Sequence, residues 1–600
     1  MNKRCRQAAV LAALGLVVPV TQASSGDAGR QLDPLVITPE RDAQPLSQTL
    51  NRVDVIDNDD IQRRSAEDAG QLLRRLPGVD VARLGGSGQQ SSVFIRGANS
   101  QHTLVLLDGV SMNPGTSGQA ALQSMHPVFL DRVEVLRGPA ASLYGSDAIG
   151  GTVNLVTARP EAGVYGLAGG GYGRYGREEQ YGGLSASDGQ AYLSARGLRQ
   201  RADGFPAREG AQDDSAFSND AGQFRAGFAA GDASVDLYHY QAEGAAEYAD
   251  FMLAPTEQDF RNAVTRLSTS YRHDGWLESR VVASRFRDDL QQVDSADFLR
   301  TERYSLDWQN DLTVAPGQVL SLGAQTAWQD VSAESFGTAY GVQERNNGYY
   351  LQHRADLGRH QLRVAARYVD HASFDGRYTG DFAYGYWLLP ELQLHGAVGS
   401  AYRAPDVTQR FGFGANPDLD PERSLSGEAG VRWLPGEAHR VEFALFQNDI
   451  KDLIDYDLSA DQNRNLDRAR IRGAELAYRY QAQDWLFGAS AVIQDARDRD
   501  AGERLLRRAR RSGQLELAYD FGQVTLGGEW ELVGPRPDVG GVEVAGYGLV
   551  NVGASWRASD SLTVRLNVDN LLDKDHTVVD GYNTPGQAAF LSARWEPRLR

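Results

Sequence analysis

The 600-residue chain carries 61 Lys+Arg against 79 Asp+Glu, a formal net charge of −18. That balance excludes a nucleic-acid binder, which needs a basic face to offset phosphate charge. No segment beyond the N-terminal leader approaches the ~20 consecutive apolar residues of a membrane helix. The single cysteine, Cys5, lies in that leader, so the mature chain has neither disulfide nor thiol chemistry.

In the leader, Lys3, Arg4 and Arg6 precede an apolar run from Ala8 to Val20 and the small-residue stretch Thr21-Gln22-Ala23. This is the pattern of a secretory signal peptide, residues 1–23, cleaved after Ala23. Losing its three basic residues moves the formal charge from −18 to −21. Residues 24–44 are polar and Pro-containing, the composition of a mobile tail. From 45 to 158 the texture is mixed. A strand is expected at Val53–Ile56, a helix start at Asp60–Arg64, and a helix at Glu67–Leu76 stopped by Pro77-Gly78. Short strands follow at Val93–Arg96, Thr103–Leu107, Arg132–Leu136 and Thr152–Val156. A unit of ~110 residues is the size of one α+β domain. The glycines of Gly85-Gly86-Ser87-Gly88 suit a loop with unusual backbone angles; a phosphate cradle would need a helix next, and a strand follows instead.

From about 162 the pattern becomes strands that alternate apolar and polar residues, such as Leu362–Tyr368 (LRVAARY), joined by tight turns. Turn signals stand at Asp188-Gly189, Gly231-Asp232, Asp274-Gly275, Pro316-Gly317 and Gly358-Arg359, 42 or 43 residues apart. Looser ones follow near Pro390, Pro435-Gly436, Ala482-Gln483, Gly522 and Asp560. Tight turns on one side and longer polar loops on the other are the layout of an outer-membrane barrel, whose strands need only ~10 alternating residues. Ten turns join twenty strands, and an opening strand at Gly163–Tyr172 with a closing one at Gln587–Trp595 makes about 22. A lumen that wide is not filled by side chains and is normally plugged; residues 45–158 have the right size. A soluble propeller would also repeat near 40 residues, but neither a propeller signature nor a reason for the leader is present.

Five ordered segments of the first domain carry a recognisable pattern: LLRRLPGV at 72–79, FIRG at 94–97, VLLDGV at 105–110, VEVLRGP at 133–139 and YGSDAIGG at 144–151. In the second region, Tyr402-Arg403-Ala404-Pro405 with Asn416-Pro417-Asp418-Leu419, and Asp569-Asn570-Leu571-Leu572-Asp573-Lys574, add to it. With these motifs the chain resembles the TonB-dependent outer-membrane receptors, and among them the cobalamin receptors. The resemblance implies an N-terminal α+β plug (45–158) inside a transmembrane β-barrel (159–600) in the outer membrane of a Gram-negative bacterium, working as a monomer among outer-membrane lipid and lipopolysaccharide. Asp33-Pro34-Leu35-Val36-Ile37-Thr38 looks like the family's TonB box, a β-prone stretch able to add a strand to the sheet of the periplasmic partner TonB. Arg96, Arg137, Glu134 and Asp108 are expected in buried plug–wall ion pairs, which confer little net stability yet cost several kcal/mol to break.

By the same resemblance, cobalamin or a related corrinoid would touch Gln90, Ser92, Asn99, Thr116 and Ser117, small or amide side chains suited to hydrogen bonding. Calcium would be held by two outer loops through Asp203, Gln212, Asp214, Tyr248, Asp250 and Asp259, since that ion takes 6–8 oxygens. The alternative is the same machine taking an Fe(III)-siderophore or another metal chelate. An enzyme is not expected: the chain has no HExxH, no GxSxG and no suggestive acid pair, and its 10 histidines are scattered.

Overall fold

The computed structural model describes residues 34–37, 41, 43–138, 141–457 and 459–599, except for the side chain of Asp467. The leader, the tail up to Asp33, and Thr38 of the box lie outside these residues, as does Pro139.

The plug is built on a five-stranded sheet. Its strands are β3 (Val53–Ile56), β6 (Thr103–Leu107), β7 (Val110–Ser111), β8 (Leu130–Arg137) and β9 (Gly151–Thr157), in the order β3-β8-β9-β6-β7. Only β6 and β9 run parallel. Two helices cover it, α1 (Asn58–Arg64) and α2 (Ala69–Arg74). Each starts where an aspartate, Asp57 or Asp68, accepts a hydrogen bond from a backbone N–H three residues on. Because Asp68 fixes the start, α2 is shorter than the helix expected over 67–76. A second hairpin pairs β4 (Val79–Arg83) with β5 (Ser91–Ile95); β4 went unread because its apolar residues run on from the helix before it. Leu72, Leu73, Ile95, Phe129, Val133 and Leu155 are fully enclosed in the core between sheet, helices and wall. The box segment forms β1 (Leu35–Val36), antiparallel to β2 (Gln44–Pro45).

Around the plug, 22 antiparallel strands close a barrel. They are numbered on from β10 (Gly163–Gly173), which pairs with the last strand, Ala588–Trp595, to close it. Each of the ten short turns read from the sequence joins two neighbouring strands; most loops at the opposite end are longer, although Ser335 to Thr338 and His371 to Phe374 turn as tightly. The alternation has a direct physical basis. In β20 (His360–His371), Val364 faces outward and exposed while Arg363, Ala365 and Arg367 face the plug, so one strand serves lipid and lumen at once. The residues after Trp595 continue the seam: Gly166 N–H donates to Pro597 O (3.0 Å), and Leu599 N–H to Val164 O (2.7 Å).

Candidate functional site

Three regions bear on function: the apex of the plug beneath the outer loops, the plug–wall contact, and the Leu35–Ile37 segment at the other end of the plug.

The apex grows from the FIRG turn. Arg96 and Gly97 both adopt positive φ (51° and 75°), which turns the chain sharply after β5. Arg508, from the outer loop 499–510, lies over the Phe94 ring at 4.5 Å. Its Nε donates to Gly97 O (3.0 Å), and its other nitrogens donate to Asn99 Oδ1 and Leu506 O. All three acceptors are neutral, and burial pushes the guanidinium down to about 10, so it stays charged at neutral pH. Beside it, Ser92, Gln119, Ser117 and Gln101 form a polar crest: Gln119 donates to Ser91 O (2.8 Å) and Gln101 to Ser117 O (3.1 Å). Gln90 is exposed at the rim.

Of the five residues expected to touch ligand, Gln90, Ser92, Asn99 and Ser117 therefore reach this apex. Thr116 does not: it is 1% exposed beneath helix α4 (Val407–Phe411). That helix donates Val407 N–H to Gly115 O (3.0 Å) and Thr408 N–H to Thr116 O (3.2 Å). The RAP segment supplies its base. Arg403 pairs with Glu422 and with Asp406, both at 2.8 Å, and burial raises the Asp406 carboxyl to about 6.

The residues expected to hold calcium are not gathered. Asp250 Oδ1 accepts backbone N–H groups from Met252 (2.8 Å) and Ala254 (2.9 Å), closing its own turn. Tyr248 donates to Gln292 (2.8 Å), Gln212 donates to Gly210 O (3.3 Å), and Asp259 sits in strand register opposite Ala245. Asp214 is exposed, and Asp203 packs against Gly176. The two loops are joined instead by Arg208, whose guanidinium donates to Asp250 O at 2.8 Å. Arg208 thus links the two loops directly, while Asp250, Tyr248 and Gln212, named for calcium, make separate contacts of their own. Among the described residues no group of three or more His, Cys, Asp or Glu could hold a metal ion.

The plug–wall contact centres on Glu475, fully buried in β25 (Gln462–Ala482). It accepts from Arg52 (3.1 Å), Arg96 (3.0 Å) and Arg137 (3.1 Å), one wall carboxylate holding three plug guanidiniums. Gly78 of the LPGV turn lets them approach. A Cβ there would lie 2.6 Å from Glu475 Oε1 and 2.8 Å from Arg137 Nη1, and its φ is +65°. Nearby, Arg63 pairs with Glu516, Arg74 with Glu531 and Arg75 with Glu529. Asp108 meets Arg225 of the wall at 3.3 Å. Glu134 has a different role: its Oε2 accepts the Ile37 N–H of the box at 2.9 Å while Arg132 holds its Oε1 at 2.8 Å. Val36 is wholly buried in a cluster with Leu46, Leu104 and Leu136, whereas Leu35 is 58% exposed.

A plug in a closed barrel, a polar plug apex beneath the outer loops and a two-stranded segment at the other end of the plug have together the layout of an energy-coupled outer-membrane receptor. Family models agree: residues 156–571 match "TonB dependent receptor-like, beta-barrel" and residues 45–152 match "TonB-dependent Receptor Plug Domain". The chain belongs to the TonB-dependent receptor family, a family of the Gram-negative outer membrane whose partner is TonB. Similar solved structures include the siderophore receptor PirA from Acinetobacter baumannii (TM-score 0.80, 19% identity, 92% of this chain and 99% of that one). The FrpB iron transporter from Neisseria meningitidis (0.80, 14%, 92% and 99%) and the copper transporter OprC (0.78, 19%, 92% and 100%) are also similar. At these identities the likeness shows the fold alone.

The residues that sequence reading missed are Arg508, Gln119 and Gln101. A signal for the first was present: 504–511 holds Arg504, Arg507, Arg508, Arg510 and Arg511, a basic run in an acidic chain.

Proposed function

We propose that this receptor imports an anionic Fe(III)-siderophore or a related metal chelate. The observation that carries the reading is Arg508: a charged guanidinium at the apex whose hydrogen-bond acceptors are all neutral, with Asp455 and Asp80 acting on it only through space. Such a group gains most from an anion, because a charge-assisted contact replaces neutral ones in a partly dehydrated site. The siderophore, iron and copper receptors of the same fold fit this class of cargo. The chemistry needed is binding and release only. The chelate seats on Arg508 and the polar crest, the box leaves Glu134 and its apolar cluster, and TonB adds a strand and pulls. A second reading, cobalamin or another corrinoid, is favoured by the amide and hydroxyl side chains of the crest, which suit a neutral ligand with peripheral amides.

Titrating the purified protein with Fe(III) tris-catecholate, Fe(III) citrate and cyanocobalamin separates the two. Tighter binding of a ferric chelate is expected, weakened about tenfold by Arg508→Gln, the ~1.4 kcal/mol of one charge-assisted hydrogen bond. Tight cyanocobalamin binding with neither ferric chelate bound would overturn the proposal. Removing calcium with a chelator is expected to leave affinity unchanged within about twofold, because Arg208 already ties the two loops; an affinity that falls with calcium would restore the metal expectation.

A further inference from the structure

The plug is not held alike on its two sides. Toward β25 its arginines meet wall carboxylates, with Glu475, Glu516, Glu529 and Glu531 all engaged. On the opposite side a cavity of about 920 Å³ lies between the β6–β7 edge of the plug sheet and the wall strands from β16 (Leu277–Gln292) to β20. It extends from Glu344 and Pro405 beneath the outer loops to Arg280 and Ile37 at the docked box. That volume lies in the range of sites that enclose a small-molecule ligand.

The charge pattern also reverses here, because the wall supplies the guanidiniums. Arg303, on β17 (Phe298–Ala315), donates to Ser111 O (2.7 Å), Asn113 O (3.2 Å) and Gln329 Oε1 (3.2 Å). Arg367, on β20, donates to Leu143 O (3.1 Å) and Gln325 Oε1 (2.6 Å). Both are buried or half-buried, and all these acceptors are neutral. Most carboxylates of the lining are already engaged: Asp108 and Asp236 by Arg225, Asp307 by Arg41, Glu278 by Arg272 and Arg280, and Glu344 by Arg410, while Asp147, also in the lining, accepts from the Ser146 hydroxyl (2.7 Å). A dehydrated guanidinium with only neutral acceptors keeps most of its attraction for a passing anion.

We propose that the chelate crosses on this side of the plug only, through the cavity beside β6–β7, with Arg303 and Arg367 as successive anion contacts. The inference rests on the transport reading above. Tension on Leu35–Ile37 is delivered at the inner mouth of this cavity, because Ile37 and Arg41 line it. The Glu475 side, with its buried ion pairs, is the side that resists.

Two variants test the route without touching the apex. Ser305→Trp fills the cavity, since Ser305 lines it against Ser284 (Oγ–Oγ 2.6 Å). Arg303→Gln combined with Arg367→Gln removes both charges. Ser490→Trp, on the ion-paired side, is the control. Each variant is checked for heat-modifiable migration of the folded barrel, and then assayed for surface binding and cellular uptake of radio-iron-labelled Fe(III) tris-catecholate and Fe(III) citrate. Surface binding within about twofold and uptake at least tenfold lower are expected for the first two variants, with uptake retained in the control. Normal uptake by folded Ser305→Trp, or an equal loss in the control, would overturn the one-sided route and leave the transport reading standing. If the unsubstituted protein imports neither probe, the transport reading fails and the route falls with it.

Discussion

Replacing Leu35 with proline abolishes uptake and leaves surface binding of the chelate within about twofold of the unsubstituted protein. The asymmetry follows from where Leu35 sits. Its side chain is largely exposed, so the substitution removes little from the cluster that buries Val36. In the resting state the box shares only a two-residue ladder with β2, Leu35 opposite Pro45 and Val36 opposite Gln44. Pairing with TonB is more demanding, because strand addition draws its affinity from consecutive backbone hydrogen bonds and proline removes a donor while fixing φ. The apex lies at the far end of the plug and does not sense the change. Uptake of labelled chelate by whole cells, set beside binding at 4 °C with the gradient collapsed, reads both quantities. Uptake at the unsubstituted rate would remove the box assignment.

Glu475→Ala loosens the plug without unfolding the barrel. Removing one carboxylate leaves Arg52, Arg96 and Arg137 without their shared partner in a buried site, and breaking a buried ion pair in this way costs about 3–5 kcal/mol. Arg96 keeps Glu428 (2.6 Å), Arg137 keeps Asp54 (2.6 Å), and Arg52 keeps Asp54 (3.4 Å) and Glu442 (3.8 Å), so the loss is partial for all three. Hydrogen exchange of the β3 and β8 amides should accelerate by two to three orders of magnitude, the conversion of that energy into an opening equilibrium. Barrel amides should be unaffected, and cells should become sensitive to a bulky antibiotic that the intact plug excludes. Unchanged exchange in β3 and β8 would show that the plug is held elsewhere.

Much of this architecture was legible before any coordinates because membrane barrels obey a local rule. Lipid on one face and lumen on the other force a period of two, and a tight turn must interrupt it wherever the chain re-enters the periplasm. Thus LRVAARY could be read as a strand, and Asp274-Gly275 as a turn, without knowing what lay beside them. The plug strands Val53–Ile56 and Thr103–Leu107 were equally plain, as short β-branched and apolar runs bounded by turn residues. Where local rules gave way, a tertiary partner was the cause. Thr116, polar and in a loop like its neighbour Ser117, is buried because α4 arrives from residues 407–411 to cover it.

The sequence by itself determined the class of machine: a barrel of about 22 strands and the plug that fills it. These rest on periodicity, turn chemistry and contiguous motifs, all of which act over a few residues. Tertiary structure decided how the machine is wired. That Glu475 would collect Arg52, Arg96 and Arg137 from three separate plug segments depends on the rotation of plug against wall. That Arg508 would fold over Phe94, or that Arg303 and Arg367 would be left with neutral acceptors beside a cavity, depends on packing between residues hundreds of positions apart. Charge in a sequence has a sign but no partner. Whether a guanidinium is a strut or a contact for cargo is set by what the fold brings within reach: Glu475 meets Arg52, Arg96 and Arg137, whereas Arg303 and Arg367 donate to carbonyl and amide oxygens.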